Sequence, residues 1–362
     1  MDILSEFSED YVTARARFVA NCRAAGIASQ RWINPARSID DIELSADVAL
    51  IGDPTASNLL LLVSGVHGVE TLCGSGCQSG MLSAGIAKTL PPDTAVLMIH
   101  AINCWGAANL RRNNEDNVDL CRNFLDFTER PPDNPRYDAI HAAVNCADLH
   151  GPRRDAAEQV LAEYRAVHGM PGYIQALMGG QYSHPDGFSF GGTRPTWSSR
   201  TLHEIVANHG RHAQRVAVIE YHSGLGPYGH GMAVTMHTGA SLERARQWYG
   251  SDVEAPNAAP AGQPSTGHRV TGHTTAGYAR ALPDAELTVI VLEYGTVPPN
   301  ESLPVMLQDH WLHQHGDPRG DKGRGISRHL LELHHPTDPG WRRGVWDRSR
   351  EVVAQALSGL SA

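Results

Sequence analysis

A chain of 362 residues, 41% hydrophobic and 19% charged, has the composition of an ordinary globular protein with room for a sizeable core. Its net charge of −9 argues against nucleic acid or an anionic membrane as partner, because the average field of such a surface repels polyanions. Small molecules and peptides fit better. No stretch approaches the roughly 20 apolar residues that span a bilayer. The acidic start "MDILSEFSED" has neither the basic nor the apolar region of a signal peptide, so a cytoplasmic chain is expected. Six cysteines, none spaced C-x-x-C, predict reduced thiols rather than a disulfide framework.

In chain order, residues 8–25 place Tyr11, Ala14, Phe18, Val19 and Cys22 on one helical face, and Gly26 follows as a stop. The runs "ADVALIG", "NLLLLVSG" and "TAVLMIHAIN" are bounded by Pro, Asp, Asn and Gly, with a small-residue helix over Leu72 to Ala87 between the last two. That alternation predicts parallel strands joined by crossover helices. Helical patterns follow at Tyr137 to Leu149 and Ala156 to His168. Residues 179–199, rich in Gly, Pro, Ser and aromatics, predict a long loop, and residues 251–268 a second. Strands are expected at "RVAVIEYH", "GMAVTMH" and "LTVIVLEYG", then a helix after Glu301 and another at the C-terminus. Because strand-like runs continue on both sides of each loop, one α/β domain over residues 1–362 is expected. Its sheet should be mixed, mostly parallel and twisted, with helices on both faces.

Ligands of such sheets gather at the carboxyl ends of strands, which singles out a few of the 20 histidines. His67 and Glu70 stand just past "LLLLVSG", His222 closes "RVAVIEYH", and Glu293 closes "LTVIVLE". Two imidazoles and one carboxylate make a catalytic zinc shell that leaves a position open for water. Glu293 would then be left as a base. "NLRRNNEDNVDLCRNF", residues 109–124, follows another strand and carries Arg111, Arg112 and Arg122. Arginines there could polarise a carbonyl, stabilise an oxyanion or grip a carboxylate.

The ordered set "HGVE", "RRNNEDNVDLCRNF", "YHSGLG" and "VLEYGT" resembles the zinc carboxypeptidases of the carboxypeptidase A superfamily. Its detail, in "GSGCQ", "HSGLGPYG" and "LEYGT", is most similar to a bacterial branch labelled as a domain of unknown function. The resemblance spans roughly residues 40–315 and implies a zinc carboxypeptidase-like fold and a bound Zn2+. It makes His67, Glu70 and His222 the metal ligands, Glu293 the general base and Arg112 the oxyanion-stabilising arginine. It gives Arg122 and its neighbour the substrate's terminal carboxylate. That neighbour is normally Asn and here is Cys121, a poor replacement for an amide donor. Tyr278 is the candidate for the family's substrate-side tyrosine.

The expected activity is zinc-dependent hydrolysis of an amide bond in a small peptide or peptide-like substrate. The alternative is an N-acyl amino acid deacylase of the aspartoacylase or desuccinylase type, which the altered residue at Cys121 favours. A non-catalytic zinc-stabilised binding protein ranks third, because the base Glu293 is present. Plainer roles stand beside these. Glu70 could cap the following helix, Glu293 could be a structural carboxylate paired with an arginine, and Arg111 could be a solvated neighbour. His184, in the first long loop, is a candidate ligand for a second metal. "GLGPYG", Gly224 to Gly229, has the spacing of a dinucleotide loop, but Pro227 and the strand-like run after it do not open the helix that the fingerprint needs.

Overall fold

The structure is a computed structural model in which residues 2–259 and 269–362 are described. The expected loop over 251–268 therefore lies partly outside the described residues. Seven strands form one sheet: β1 (Ser29–Arg37), β2 (Glu43–Ile51), β3 (Asn58–Ser64), β4 (Thr94–His100), β5 (Arg215–Ser223), β6 (Gly231–Val234) and β7 (Glu286–Tyr294). Their order is β1-β2-β4-β3-β5-β7-β6. The four central strands β4, β3, β5 and β7 run parallel, while β1, β2 and β6 are antiparallel additions at the two sides. The sheet is thus mixed and mostly parallel, as its apolar runs predict, although "ADVALIG" joins it antiparallel.

The alternation of side chains along each strand divides the core in two. Leu60, Leu62, Val96, Met98, Ile219 and Ile290 share one face with Phe18, Cys77, Trp341 and Val345 from the helices Tyr11–Ala24, Thr71–Ser83 and Pro339–Ser361. Leu59, Leu61, Val63, Leu97, Val218 and Val289 share the other with Leu202, Ile205 and Tyr278 from the helices Trp197–Gly210 and Thr274–Ala281. Each such fully buried side chain contributes about 1.5–3 kcal/mol through lost apolar surface. The helix Thr71–Ser83 is built from small residues because it rides close to the sheet. A Cβ on Gly74 would stand 2.7 Å from the Cβ atoms of both Ser64 and Tyr221, which leaves room only for hydrogen.

A third cluster lies outside the two sheet faces. Tyr137, Leu161, Tyr173 and Leu177 pack with Phe188, Met306 and Leu330, joining the helices Pro152–Met178, Pro299–His315 and Asp321–His334. Here the sequence expectations need correcting. The stretch 137–149 holds only two short helical turns, Pro135–Asp138 and His141–Val144. The helix expected at 156–168 extends over Pro152–Met178 and breaks at Gly169, whose φ of 68° is left-handed. The loop after Gly179 closes on itself through a bridge between Gln181 and Phe190. "GLGPYG" is a turn from β5 into β6, with no helix to receive a pyrophosphate. All six cysteines are free. No helix among the described residues is long and apolar enough to cross a membrane.

Candidate metal and hydrolytic site

Three adjacent parallel strands, β3, β5 and β7, deliver chemistry at their carboxyl ends. After β3 the chain turns tightly through "GVHGVE" into the helix Thr71–Ser83. The turn is pinned by two main-chain bonds: Gly68 N–H donates to the Arg112 carbonyl at 3.0 Å and Val69 N–H to the Arg111 carbonyl at 2.9 Å. His67 and Glu70 are thereby aimed into one cleft. His222 belongs to β5, and Glu293 is its register partner on β7.

Four atoms converge. His67 Nδ1 lies 2.9 Å from Glu70 Oε1, His222 Nδ1 lies 2.9 Å from Glu70 Oε2, and the two Nδ1 atoms face each other at 3.1 Å. Glu70 does not cap its helix with its side chain; Oε2 instead accepts from the Ser223 N–H at 3.2 Å. Two ring nitrogens meeting head-on around a buried carboxylate suit a shared cation better than a shared proton. In tetrahedral zinc with bonds of about 2.0–2.1 Å, ligand atoms sit roughly 3.3 Å apart, close to the spacing here. The donor set therefore fits zinc.

The outer nitrogens face carboxylates. His67 Nε2 is 3.2 Å from Asp119 Oδ1, and His222 Nε2 is 3.7 Å from Glu220 Oε2, the latter an electrostatic contact wider than a hydrogen bond. Hydrogen-bonded to Asp119 through Nε2, His67 is held in the tautomer that leaves Nδ1 facing Glu70 and His222. Asp119 also accepts from Arg112 Nη1 and from the Cys121 N–H at 3.0 Å; burial raises its carboxyl, but Arg112, Arg122 and His67 hold it well below the usual range. Neither Asp119 nor Glu220 stood out in the sequence. Asp119 shares a segment with Arg112, and Glu220 is a carboxylate inside an apolar strand; both signals were present.

Seven of the eight sequence candidates, His67, Glu70, His222, Glu293, Arg112, Arg122 and Cys121, line a single cavity of about 170 Å³. Burial, and then the charge of Glu70, push the Glu293 carboxyl up to about 7, with His222 and Arg112 acting in opposition. The Cys121 thiol is held protonated by burial, and its sulfur lies within 4.8 Å of ligand atoms of His67 and His222. Arg122 is tied to the main chain. Nε donates to the Met178 carbonyl at 3.1 Å and Nη2 to the same oxygen, while Nη1 donates to the Cys121 carbonyl at 3.1 Å.

Tyr278 does not line the cavity. It is buried in the core beside β5, and its hydroxyl donates to Glu220 Oε1 at 2.7 Å. Arg111 is buried rather than solvated; it donates to Asn117 Oδ1 and rests against the Trp105 ring. His184 lies outside the cavity too, stacked on His141 with ring centroids 3.8 Å apart and planes at 17°. With Asp186 these two rings form a second group whose ligand atoms lie within 4.8 Å of one another, and His184 Nε2 is engaged by Asp138 at 2.9 Å.

Residues 7–348 match the family described as "Protein of unknown function (DUF2817)". The chain belongs to this family. None of the curated proteins matches it significantly. Among solved structures, this DUF2817 chain is similar to thrombin activatable fibrinolysis inhibitor, with a TM-score of 0.48 and 10% identity over 99% of this chain and 79% of that one. It is similar to carboxypeptidase A from Helicoverpa armigera, with a TM-score of 0.41 and 11% identity over 91% and 75%. A succinylglutamate desuccinylase from Chromobacterium violaceum gives a TM-score of 0.36 and 13% identity over 88% and 74%. At such values the chemistry has to come from the residues of the DUF2817 site itself.

Proposed function

We propose that this DUF2817 protein is a zinc-dependent hydrolase of amide bonds in small peptides or peptide-like substrates. The observation that carries the proposal is the convergence of His67 Nδ1, His222 Nδ1 and both Glu70 oxygens at 2.9–3.1 Å, with Asp119 and Glu220 behind the two rings. Zinc held there supplies a Lewis acid that polarises a carbonyl and makes water acidic near neutral pH.

The chain's own groups account for the rest. Glu293, with its carboxyl raised to about 7, is suited to accept the proton of the attacking water and return it to the leaving nitrogen, since a catalytic base works best with a pKa near the working pH. Arg112, oriented by Asp119, presents a fixed positive charge to the cavity where the carbonyl oxygen becomes negative. Removal of water from a largely buried site strengthens both effects.

Metal analysis of the purified protein, joined to a hydrolysis screen over peptides and N-acyl amino acids, tests this reading. About one zinc per chain is expected, with hydrolysis lost on chelation and restored by zinc. Glu293→Gln should keep its zinc and lose at least about 10²-fold in kcat, the contribution of a general base. Full turnover in that variant, or a metal-loaded wild type inert on both classes, would overturn the proposal.

A further inference from the structure

Resting on the hydrolase reading, we infer that the substrate is recognised by a bulky apolar group next to the scissile bond, and that a free terminal carboxylate is not what holds it. Two observations lead there.

The first is the apolar part of the cavity lining. Ile174 and Met178 from the helix Pro152–Met178, Met236 after β6, Val270, and Leu303 and Met306 from Pro299–His315 line the same cavity as His222 and Glu293. Among the described residues this part of the lining has no cationic side chain. The space of about 170 Å³ is more than ten times the roughly 10–15 Å³ that one water needs, enough for one aromatic ring with its linker. Three methionines give the wall soft, adaptable surface, which accepts apolar groups of varied outline.

The second is the state of the arginines. Arg122 is buried, and its Nε, Nη1 and Nη2 all donate to main-chain carbonyls of Met178 and Cys121. Its charge lies 4.0 Å from the Asp119 carboxylate. A fork whose nitrogens tie the helix Pro152–Met178 to the segment holding Asp119 is a strut. A side-on bidentate grip through Nε and Nη2 would cost it the Met178 carbonyl that both nitrogens hold. The neighbouring Cys121 offers a thiol, a weak donor, in place of a second strong one. Arg112, the other arginine of the lining, is bound to Asp119 beside His67. Specificity then falls to the apolar wall, where burial of an uncharged group is favourable and burial of an unpaired carboxylate is costly.

The experiment uses the full-length zinc-loaded protein and two matched pairs: N-acetyl-alanyl-phenylalanine and its carboxamide, and the same pair with glutamate in place of phenylalanine. A charge-assisted bidentate grip would favour the acid by about tenfold or more. The expected result is kcat/KM for the phenylalanyl acid and carboxamide within about threefold, and both glutamyl compounds weaker by about thirtyfold or more, in line with the cost of burying a charge. Preference for the acid by tenfold, or equal use of glutamate, overturns the inference and leaves the hydrolase reading standing. If no compound is cleaved, the hydrolase reading fails. Binding of the four probes to zinc-loaded Glu293→Gln by calorimetry then decides the inference by the same ratios. Met236→Glu provides a second arm: with zinc content and melting temperature unchanged, it should lower kcat/KM for the phenylalanyl carboxamide at least about tenfold. Unaltered use of that compound by the variant overturns the role of the wall.

Discussion

Gly68→Ala tests whether the "HGVE" turn is held by close backbone packing. In the structure a Cβ on Gly68 would lie 2.2 Å from the carbonyl carbon of Gly106, 2.3 Å from its Cα and 2.5 Å from the Ala107 nitrogen. These are backbone atoms, so no side chain can swing aside. Restoring ordinary contact of 3.4 Å requires the turn and the helix Cys104–Ala108 to separate by about 1.2 Å, and overpacking of this kind costs about 1–3 kcal/mol. The separation would also strain the bonds from Gly68 and Val69 to Arg112 and Arg111, and it would move His67 and Glu70 by far more than the roughly 0.2 Å a zinc site tolerates. At about 2.1 cal/mol/K per residue of unfolding entropy, 2 kcal/mol is a fall of about 3 °C in melting temperature. The expected outcome is that fall in a thermal melt of the metal-free protein, together with zinc affinity reduced at least about tenfold in a chelator competition. A variant with wild-type melting temperature and wild-type zinc affinity would refute the packing argument.

Asp119→Asn should weaken zinc binding about 10–100-fold, the usual effect of removing a carboxylate behind a ligating histidine; unchanged affinity in the same competition would show that Asp119 does not orient His67. Asp309, buried on the helix Pro299–His315, has its carboxyl pushed up to about 7 by burial, with Arg111 and Arg112 pulling the other way. Because the folded pKa is raised, Asp309 contributes stability that is complete below its ordinary value of 3.8 and is lost as pH rises through about 7. Asp309→Asn should therefore gain stability relative to wild type between pH 4 and pH 8, with about 4 kcal/mol as a ceiling. Denaturant unfolding of both proteins at the two pH values reads this double difference, and a constant difference would contradict it.

The strands that carry the site were legible because they are buried on both faces and read as continuous apolar runs. "LLLLV" and "VIVL" leave little other choice. His67, Glu70, His222 and Glu293 stood out as polar residues at the ends of those runs. β1 was missed because "SQRWINPAR" is an exposed edge strand whose Pro35 falls at the break in its pairing with β2, and edge strands tolerate proline where central ones do not. The outer support of the site was hidden for another reason. Asp119 reaches His67 across 52 residues, and the carbonyl that occupies Arg122 comes from Met178, 56 residues on. Tyr278 is a hydroxyl-bearing residue in a suitable stretch of chain, and only the packing of the helix Thr274–Ala281 beside β5 turns it towards Glu220.

His67 and His222 are separated by 155 residues, and a nascent chain emerges from its N-terminus onward. While only the first half is made, His67 and Glu70 can offer an ion two donors at most, too few for a structural grip on zinc. The third donor arrives only when β5 has been made and has docked beside β3. On the proposed zinc reading, loading with metal is thus a late event in the protein's biogenesis, and a fragment truncated before β5 should emerge from the cell empty whatever the zinc supply.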